Sequence, residues 1–161
     1  MLGVVMASER GLAGDLLAET ARRLQAGGLR LAGAVQENTG DTEMLLRLLA
    51  APGLVRISQN LGPGAQGCRL DPDGLERAVA GVQAALEGAD LVIINKFGKQ
   101  EAEGRGFRPL IAEALSLGIP VLTTVAPDHA DAFARFAQDM SEPVPARLEA
   151  ILDWCALARQ S

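Results

Sequence analysis

The fold is decided by the stretch Ala89-Asp90-Leu91-Val92-Ile93-Ile94-Asn95-Lys96-Phe97-Gly98-Lys99-Gln100-Glu101. Its apolar run has the length and composition of a strand buried on both faces of a sheet. Polar and cationic residues follow directly at the carboxyl end of that strand. Because open α/β sheets bind their ligands at the carboxyl ends of their strands, the sequence predicts a ligand site there.

Two other apolar runs have the same pattern, Leu2-Gly3-Val4-Val5-Met6 and Ile119-Pro120-Val121-Leu122-Thr123-Thr124-Val125. A further strand is predicted over residues 29–35. Apolar residues at helical spacing predict helices between and after these strands, over residues 15–25, 71–88, 107–117, 128–138 and 145–157. Strands that alternate with helices indicate a single α/β domain, residues 1–161, with a mainly parallel sheet between two layers of helices.

Residues 42–58 allow two interpretations. Residues 42–49 have the pattern of a helix capped by Asp41, or of the first arm of a hairpin that turns at Ala51-Pro52-Gly53. We favour the hairpin, because a β-rich second arm, residues 54–58, follows the turn. The hairpin is expected to form an antiparallel edge of the sheet. Residues 61–69 and 101–106 are predicted to be loops.

Composition limits the possible functions. The 161 residues are 48% hydrophobic and 22% charged, which suits one domain with a sizeable core. A net charge of −5 without a basic block argues against nucleic acid or an anionic membrane surface as a partner. No apolar run approaches the roughly 20 residues of a membrane span, so we expect a cytoplasmic protein that does not insert into membranes.

Cysteine and histidine are too scarce for a disulfide framework or a structural zinc site. The chain has only Cys68, Cys155 and His129. We therefore predict no metal site, and the sequence indicates no particular cofactor.

The order of elements and the string Asn95-Lys96-Phe97-Gly98-Lys99-Gln100-Glu101 resemble small P-loop nucleoside triphosphatases whose Walker B strand ends in D-E-x-G-K-M-E. Almost the whole chain more closely resembles a bacterial family of unknown function that is often encoded beside molybdate-transport genes. The strings that carry this second resemblance are Ile57-Ser58-Gln59, Gly67-Cys68-Arg69-Leu70-Asp71, Asn95-Lys96-Phe97-Gly98-Lys99 and Gly104-Arg105-Gly106-Phe107-Arg108. The resemblance implies a P-loop NTPase-like fold and a link to molybdate uptake or its regulation.

The chain departs from the pattern of a working triphosphatase at two places. A Walker A loop, G-x-x-x-x-G-K-[ST], binds phosphates through backbone amides, a lysine and a hydroxyl. The matching loop, residues 7–14, lacks that lysine and hydroxyl, although Ser8, Gly11 and Gly14 remain candidates for binding a ligand. Asn95 and Lys96 occupy the positions of the acid pair that would hold Mg²⁺. We therefore predict that the chain is not an active nucleoside triphosphatase.

An amide and an ammonium in place of two acids favour a metal-free anion. We expect the first strand and the strand at 90–95 to lie close, so that Lys96 projects toward the helix that starts after Gly14. Lys99, Arg105 and Arg108 are further candidates for binding the anion. The alternative is that both lysines are ordinary solvated charges.

The glycine-rich segment 62–69 is a candidate flap over the ligand. Its Arg69 is a candidate ligand contact. Cys68 is either a reactive or metal-binding thiol or, more commonly for a free cysteine, an inert small apolar side chain.

A second polar group follows the strand at 119–125. His129 lies between Asp128 and Asp131 and could act as a general base. We prefer the interpretation that an aspartate caps a helix beside an exposed histidine. Thr123 and Thr124 line the cleft or are simply β-branched strand residues.

Two function classes follow. The favoured one is a degenerate P-loop-like binding protein for a nucleotide or an oxyanion of the phosphate or molybdate type. The alternative is a nucleoside triphosphatase or phosphate-transfer enzyme in which Lys96 stabilises charge and Glu101 or Glu103 is the base. A subunit that has lost its ligand is a third possibility. Association with a transporter is compatible with the sequence, and so is a homo-oligomer formed through apolar residues of the last two helices, Phe133, Phe136, Leu148, Ile151, Leu152 and Trp154.

Overall fold

The computed structural model describes residues 1–6, 11–37, 44–59 and 70–160. Strands and helices alternate along most of this part of the chain. The strands are β1 (Leu2–Val5), β2 (Leu31–Glu37), β3 (Leu45–Leu48), β4 (Leu54–Arg56), β5 (Leu91–Phe97), β6 (Val121–Val125) and β7 (Ser141–Val144). The helices are α1 (Leu12–Ala26), α2 (Pro72–Gln83), α3 (Lys99–Ala102), α4 (Arg108–Ser116), α5 (Ala130–Ala137) and α6 (Leu148–Arg159), with a 3₁₀ turn at Pro127–His129.

The strands form one sheet in the order β4-β3-β2-β5-β6-β1-β7. The five strands from β2 to β7 in this order are mutually parallel. The strands β3 and β4 are antiparallel to their neighbours and form one edge. The predicted α/β fold, with a mainly parallel sheet and an antiparallel edge hairpin, is therefore confirmed.

From residue 44 onward, where the structure describes this segment, the chain forms the favoured hairpin and not the alternative helix. Leu45 of β3 pairs with Arg56 of β4, and the turn between the strands includes Gly53 at a φ of 121°. The helix α2 packs closely on β4, because a Cβ atom at Gly74 would lie 2.3 Å from the carbonyl oxygen of Arg56. Asp71 caps α2 as predicted, through a 3.1 Å hydrogen bond from the Asp73 N–H.

Helices cover both faces of the sheet and enclose two apolar cores. One core lies under α2, α4 and α5 and includes the buried side chains Leu75, Val82, Ile94, Phe97, Phe107 and Phe133. The other lies under α1 and α6 and includes Leu17, Leu91, Ile93, Ile151, Trp154 and Cys155. The alternation of Leu91 to Ile94 between the two cores is what a strand buried on both faces requires.

Half of the six apolar residues that we assigned to a self-contact are buried inside the protein. Phe133, Ile151 and Trp154 are buried, and only Phe136, Leu148 and Leu152 keep partial exposure. Trp154 lies directly against β1, because a Cβ atom at Gly3 would be 2.6 Å from its ring. The buried members of the set pack on the sheet, so only Phe136, Leu148 and Leu152 remain for the self-contact, which stays a prediction.

Several boundaries differ from the sequence prediction. The strand β7 was not predicted, and it pairs with β1 at the edge of the sheet. The first residues of the expected loop at 101–106 belong to the short helix α3. The last helix begins at Leu148 rather than at residue 145, and α2 ends at Gln83 rather than near residue 88. Among the residues that the structure describes, no helix combines the length and the apolar character needed to cross a bilayer.

Candidate functional site

A β-bulge lies at the carboxyl end of β5. Ile94 pairs with Thr123 of β6, but the next paired residues are Phe97 and Val125, so β5 contains one extra residue at this point. Bulges redirect side chains and interrupt the regular ladder. The bulge places Asn95 and Lys96 at the edge of the sheet where its parallel strands end.

A cavity of about 580 Å³ adjoins this bulge. It is formed at the carboxyl ends of β2 and β5, with further walls from the hairpin, from α2 and α3, and from the turn after β6. Its polar lining consists of Gln36, Gln59, Asn95, Lys96, Lys99, Gln100, Glu101 and His129. Its apolar lining consists mainly of Met44, Leu46, Ile57, Leu70, Leu75 and Phe107. An apolar pocket of this size with a few converging polar groups is typical of small-molecule sites.

The cavity brings together both lysines and the single histidine of the sequence. Lys96 and Lys99 are the only lysines in the sequence and His129 is the only histidine, and all three line it. Both lysines are exposed, and neither has a carboxylate within ion-pair distance among the described residues. Glu101 is the one carboxylate among the described lining residues, so the two exposed ammonium groups outnumber the acids here in a chain of net charge −5.

Asn95 is held in the wall of the cavity by its neighbours. It is 7% exposed, and its side-chain N–H donates to Gln36 Oε1 at 2.9 Å. The Thr124 hydroxyl donates to the Asn95 carbonyl oxygen at 2.8 Å, which ties β6 to the bulge. These contacts position the amide at the end of the strand. Thr123 and Thr124 do not line the cavity and belong to the strand structure.

Glu101 organises the segment that closes one side of the cavity. It is 3% exposed, and its two carboxylate oxygens accept hydrogen bonds of 2.9 Å from the backbone N–H groups of Gly98 and Phe107. Gly106 lies against this carboxylate, since a Cβ atom there would be 1.9 Å from Glu101 Oε2. Both oxygens of Glu101 are thus engaged in shaping the loop, which leaves this candidate base committed to a structural contact.

Of the three arginines predicted for the site, the two that the structure describes, Arg105 and Arg108, have local partners and do not line the cavity. The exposed Arg105 donates to Gln100 Oε1 at 3.0 Å and forms an ion pair with Glu103. The Arg108 guanidinium lies 5.2 Å from the ring centre of Phe136, a cation–π geometry. The structure therefore brings Asn95, Lys96 and Lys99 together and separates these arginines from them.

The start of α1 lies at the same edge of the sheet but does not line the cavity. We expected β1 and β5 to lie close. Both strands pair with β6, so one strand separates them. The helix α1 packs on the opposite face of the sheet from α2. It begins at Leu12, after the N-cap residue Gly11, which has a φ of 83° and provides no side-chain cap. Gly14 lies within its first turn. Ser8, Cys68 and Arg69 lie outside the described residues.

His129 is less exposed than we expected. It is half-buried in the wall of the cavity, and α5 begins without a side-chain cap. The prediction of an aspartate cap beside an exposed histidine is therefore wrong. Asp128 and Asp131 are exposed and do not line the cavity.

The donor set does not fit a magnesium ion. Mg²⁺ prefers carboxylate oxygens, and the strand end offers the Asn95 amide and the Lys96 ammonium instead. Within the described ranges, no group of three or more His, Cys, Asp or Glu residues is placed to hold a metal.

Sequence reasoning missed Gln36 and the apolar wall of the cavity. Gln36 follows the apolar run of β2, and so it obeys the same strand-end rule that identified Asn95. The restriction of lysine to positions 96 and 99 is a second signal that the sequence contains.

Two comparisons relate the chain to known proteins. It is 38% identical over 145 residues to Molybdenum import ATP-binding protein ModC 2 of Bradyrhizobium diazoefficiens, and this match covers 86% of the chain but only 16% of that relative. The fold is similar to that of THEP1 from the hyperthermophile Aquifex aeolicus, with a TM-score of 0.71 and 16% identity over 96% of this chain and 99% of that one.

The family comparison covers nearly all of the sequence. Residues 2–154 match the family model described as "Protein of unknown function (DUF2478)". The strings that suggested a family of unknown function thus lie within one continuous match. The chain belongs to the DUF2478 family.

Proposed function

We propose that this protein is a degenerate P-loop-like binding protein for a nucleotide or an oxyanion of the phosphate or molybdate type, with the cavity at the end of β5 as its site. The observation that carries the proposal is the meeting of Lys96, Lys99 and His129 in one cavity, with both lysines unpaired among the described residues. An ammonium group donates up to three charge-assisted hydrogen bonds and serves as a compact point charge for phosphate-type oxygens.

The start of α1 is a second source of hydrogen-bond donors at the same edge of the sheet. Its first turn has no side-chain cap, and the first N–H groups of a helix attract anions. In this proposal, the loop at residues 7–14 keeps its glycines but not the lysine of a Walker A motif. Lys96, near the end of β5, supplies the positive charge that an anion needs when no Mg²⁺ is bound.

Similarity to a molybdenum import ATP-binding protein supports a nucleotide or molybdate ligand. Because the match covers only 16% of that relative, ATP binding and molybdenum import are proposals for this chain. We place the protein in the cytoplasm, in molybdate uptake or its regulation, and its association with a transporter belongs to the same proposal.

The alternative function is phosphate transfer, with Glu101 or Glu103 as a base. Glu101 lines the cavity but uses both oxygens to bind backbone amides, and the exposed Glu103 pairs with Arg105 outside the cavity lining. A base must reach the proton that it removes. Binding requires only donors, so the geometry favours a binding protein.

A thermal-shift screen tests the proposal. The panel contains nucleotides with and without Mg²⁺, and molybdate, tungstate, sulfate and phosphate. We expect at least one of these anions to raise the melting temperature without Mg²⁺, since a ligand that binds only the folded state stabilises it. No shift with any member of the panel would contradict the proposal.

The two lysines provide a direct readout of where the anion binds. Reductive methylation with ¹³C-formaldehyde labels Lys96, Lys99 and the terminal amine, because the sequence has no other lysine. We expect the stabilising anion to slow labelling of Lys96 and Lys99 in quantitative mass spectrometry while the terminal amine serves as the internal control. Equal labelling of all three amines with and without the anion would place the ligand elsewhere.

A further inference from the structure

We infer that the cavity binds a two-part ligand, in which an anionic group meets the lysines and a flat, uncharged heteroaromatic ring with a hydrogen-bond donor lies against Asn95 and the apolar wall. This inference rests on the proposed function for its anionic part. It goes further by choosing between a free oxyanion and an organic phosphate, and by assigning the choice to Asn95.

The first argument is volume. A tetrahedral oxyanion occupies the space of a few water molecules, or on the order of 100 Å³ from about 30 Å³ for each water. The cavity measures about 580 Å³. An oxyanion at the lysines would therefore leave most of the cavity unfilled, whereas pockets of several hundred Å³ suit ligands with an organic part.

The second argument is the chemistry of the wall. Leu46, Ile57, Leu75 and Phe107 are each at most 6% exposed and line the cavity together. An oxyanion gains nothing from apolar surface, but burial of a ring against it contributes roughly 25 cal/mol per Å² removed from water. The wall therefore matches an apolar or aromatic group.

The third argument is the free acceptor on Asn95. Its side-chain nitrogen donates to Gln36, and its side-chain oxygen accepts no hydrogen bond from the described residues. No fully buried side-chain oxygen among those residues lacks a partner, so this oxygen is open to the cavity. A ligand that covers such an acceptor has to supply a donor, because buried acceptors normally have one. A deprotonated oxyanion cannot supply one, and a carbonyl dipole repels it. A ring N–H or an exocyclic amine supplies the missing donor.

The two ends of the cavity thus have different chemistry. Lys96 and Lys99 are exposed at its mouth, and Asn95 is buried beside the apolar wall. A nucleotide has this combination of a phosphate and a flat ring that carries donors. Nucleotides are therefore the probes with which we test the inference.

Calorimetric titration with matched ligands tests the contribution of the ring. AMP, GMP, CMP and UMP are compared with ribose 5-phosphate, which carries the same sugar and phosphate but no base. We expect at least one nucleotide to bind ten or more times as tightly as ribose 5-phosphate. Equal affinity of ribose 5-phosphate and all four nucleotides, or binding of molybdate or phosphate alone, would overturn the inference and leave the proposed function intact.

A second measurement locates the ring without any substitution. Met44 lines the cavity, whereas Met1, Met6 and Met140 are exposed and do not. In protein labelled with ¹³C at the methionine methyl groups, the preferred nucleotide should shift the Met44 signal through its ring current, and ribose 5-phosphate should not. A nucleotide that binds without moving the Met44 signal would show that its base lies outside the cavity.

Substitutions separate the two ends of the ligand. We expect Asn95→Leu to weaken nucleotide binding about tenfold and to change ribose 5-phosphate binding less than twofold. Lys96→Gln should weaken both ligands by a similar factor. A nucleotide preference that survives Asn95→Leu would overturn the role of Asn95. If the wild-type protein binds none of these ligands, the proposed function is overturned together with this inference.

Discussion

Glu101 Oε2 accepts a 2.9 Å hydrogen bond from the backbone N–H of Phe107, six residues further along the chain. The other oxygen of the same carboxylate binds the Gly98 N–H, so one buried side chain holds both ends of the segment between β5 and α4. This segment carries Lys99 and Gln100 at the cavity. The position of the cationic mouth therefore depends on Glu101.

The first prediction concerns this contact. Glu101→Gln replaces one acceptor oxygen with an amide NH₂, which leaves a buried backbone N–H without a partner. We expect the free energy of unfolding to fall by about 1–3 kcal/mol in urea denaturation. The exposed Glu103→Gln should change it by less than about 0.5 kcal/mol. Equal effects of the two substitutions would show that the buried carboxylate does not hold the segment.

The second prediction compares two neighbouring glycines. Gly104 and Gly106 both have positive φ, of 89° and 60°, but only a Cβ atom at Gly106 meets the Glu101 carboxylate. Gly104→Ala should cost about 1–2 kcal/mol for its backbone conformation alone. Gly106→Ala should cost more, because the carboxylate or the loop must also move. Thermal denaturation of both variants gives the order, and a smaller loss at Gly106 would contradict the described packing.

The third prediction concerns anion affinity. Lys96→Ala removes a charge-assisted contact worth roughly 1.5–3 kcal/mol, so it should weaken binding of the stabilising anion tenfold to a hundredfold with little effect on folding. Calorimetry at low and moderate salt compares it with Lys99→Ala. Arg147→Gln is the charge control, because Arg147 is exposed and does not line the cavity.

Small, equal and salt-sensitive losses in all three variants would mean that the lysines act only through long-range attraction, which salt screens. That result would place the ligand elsewhere on the protein.

The fourth prediction concerns catalysis. With ATP and Mg²⁺, phosphate release should stay at background, because an amide and an ammonium stand where the metal would need carboxylates. A coupled phosphate assay on the purified protein measures this. Turnover that requires Mg²⁺ and disappears in Lys96→Ala would favour the enzyme alternative.

The fifth prediction concerns alkaline pH. Burial raises the pKa of the Cys155 thiol from 9.0 to about 12, and Arg159 opposes this only in part. The unfolded thiol loses its proton near pH 9, so the folded protein holds more protons between pH 9 and 12. The contribution of the neutral thiol to stability is complete below pH 9. Above that, the free energy of unfolding should fall by up to about 1.4 kcal/mol per pH unit.

Denaturation of the wild type and of Cys155→Ala at several pH values isolates this effect, since other groups titrate in both proteins. We expect the difference in unfolding free energy between them to shrink as pH rises from 9. A constant difference would mean that Cys155 ionises equally easily in the folded and unfolded states.

The sequence was sufficient to predict elements whose signal is local. The apolar runs of β1, β5 and β6 identified the central strands, and the turn at residues 51–53 identified the hairpin. The strand β7 gave no such signal, because Ser141–Val144 contains a proline and polar residues and becomes a strand by pairing with β1. The helix α3 was missed for a related reason, since its position depends on the contact between Glu101 and Phe107.

The site also combines residues that a local sequence pattern predicts with residues that only the folded chain brings together. The strand-end rule placed Asn95, Lys96 and Lys99 at the cavity. It could not show that Arg105 and Arg108 are held by Glu103 and Phe136, because those contacts depend on side-chain geometry. The apolar wall comes from residues far apart in the sequence, and only the folded sheet brings them together.

The pairing of β1 has a consequence for folding during synthesis. Leu2 pairs with Val121 of β6 and with Ser141 of β7, so the first strand meets both of its partners only after most of the chain has left the ribosome. Until then, the backbone N–H and C=O groups of the apolar segment Leu2–Val5 have no strand partner on either side. Contacts of such long sequence separation slow folding and prolong exposure to aggregation. In this topology, β1 therefore gains its sheet partners only late in synthesis, when β6 and β7 emerge.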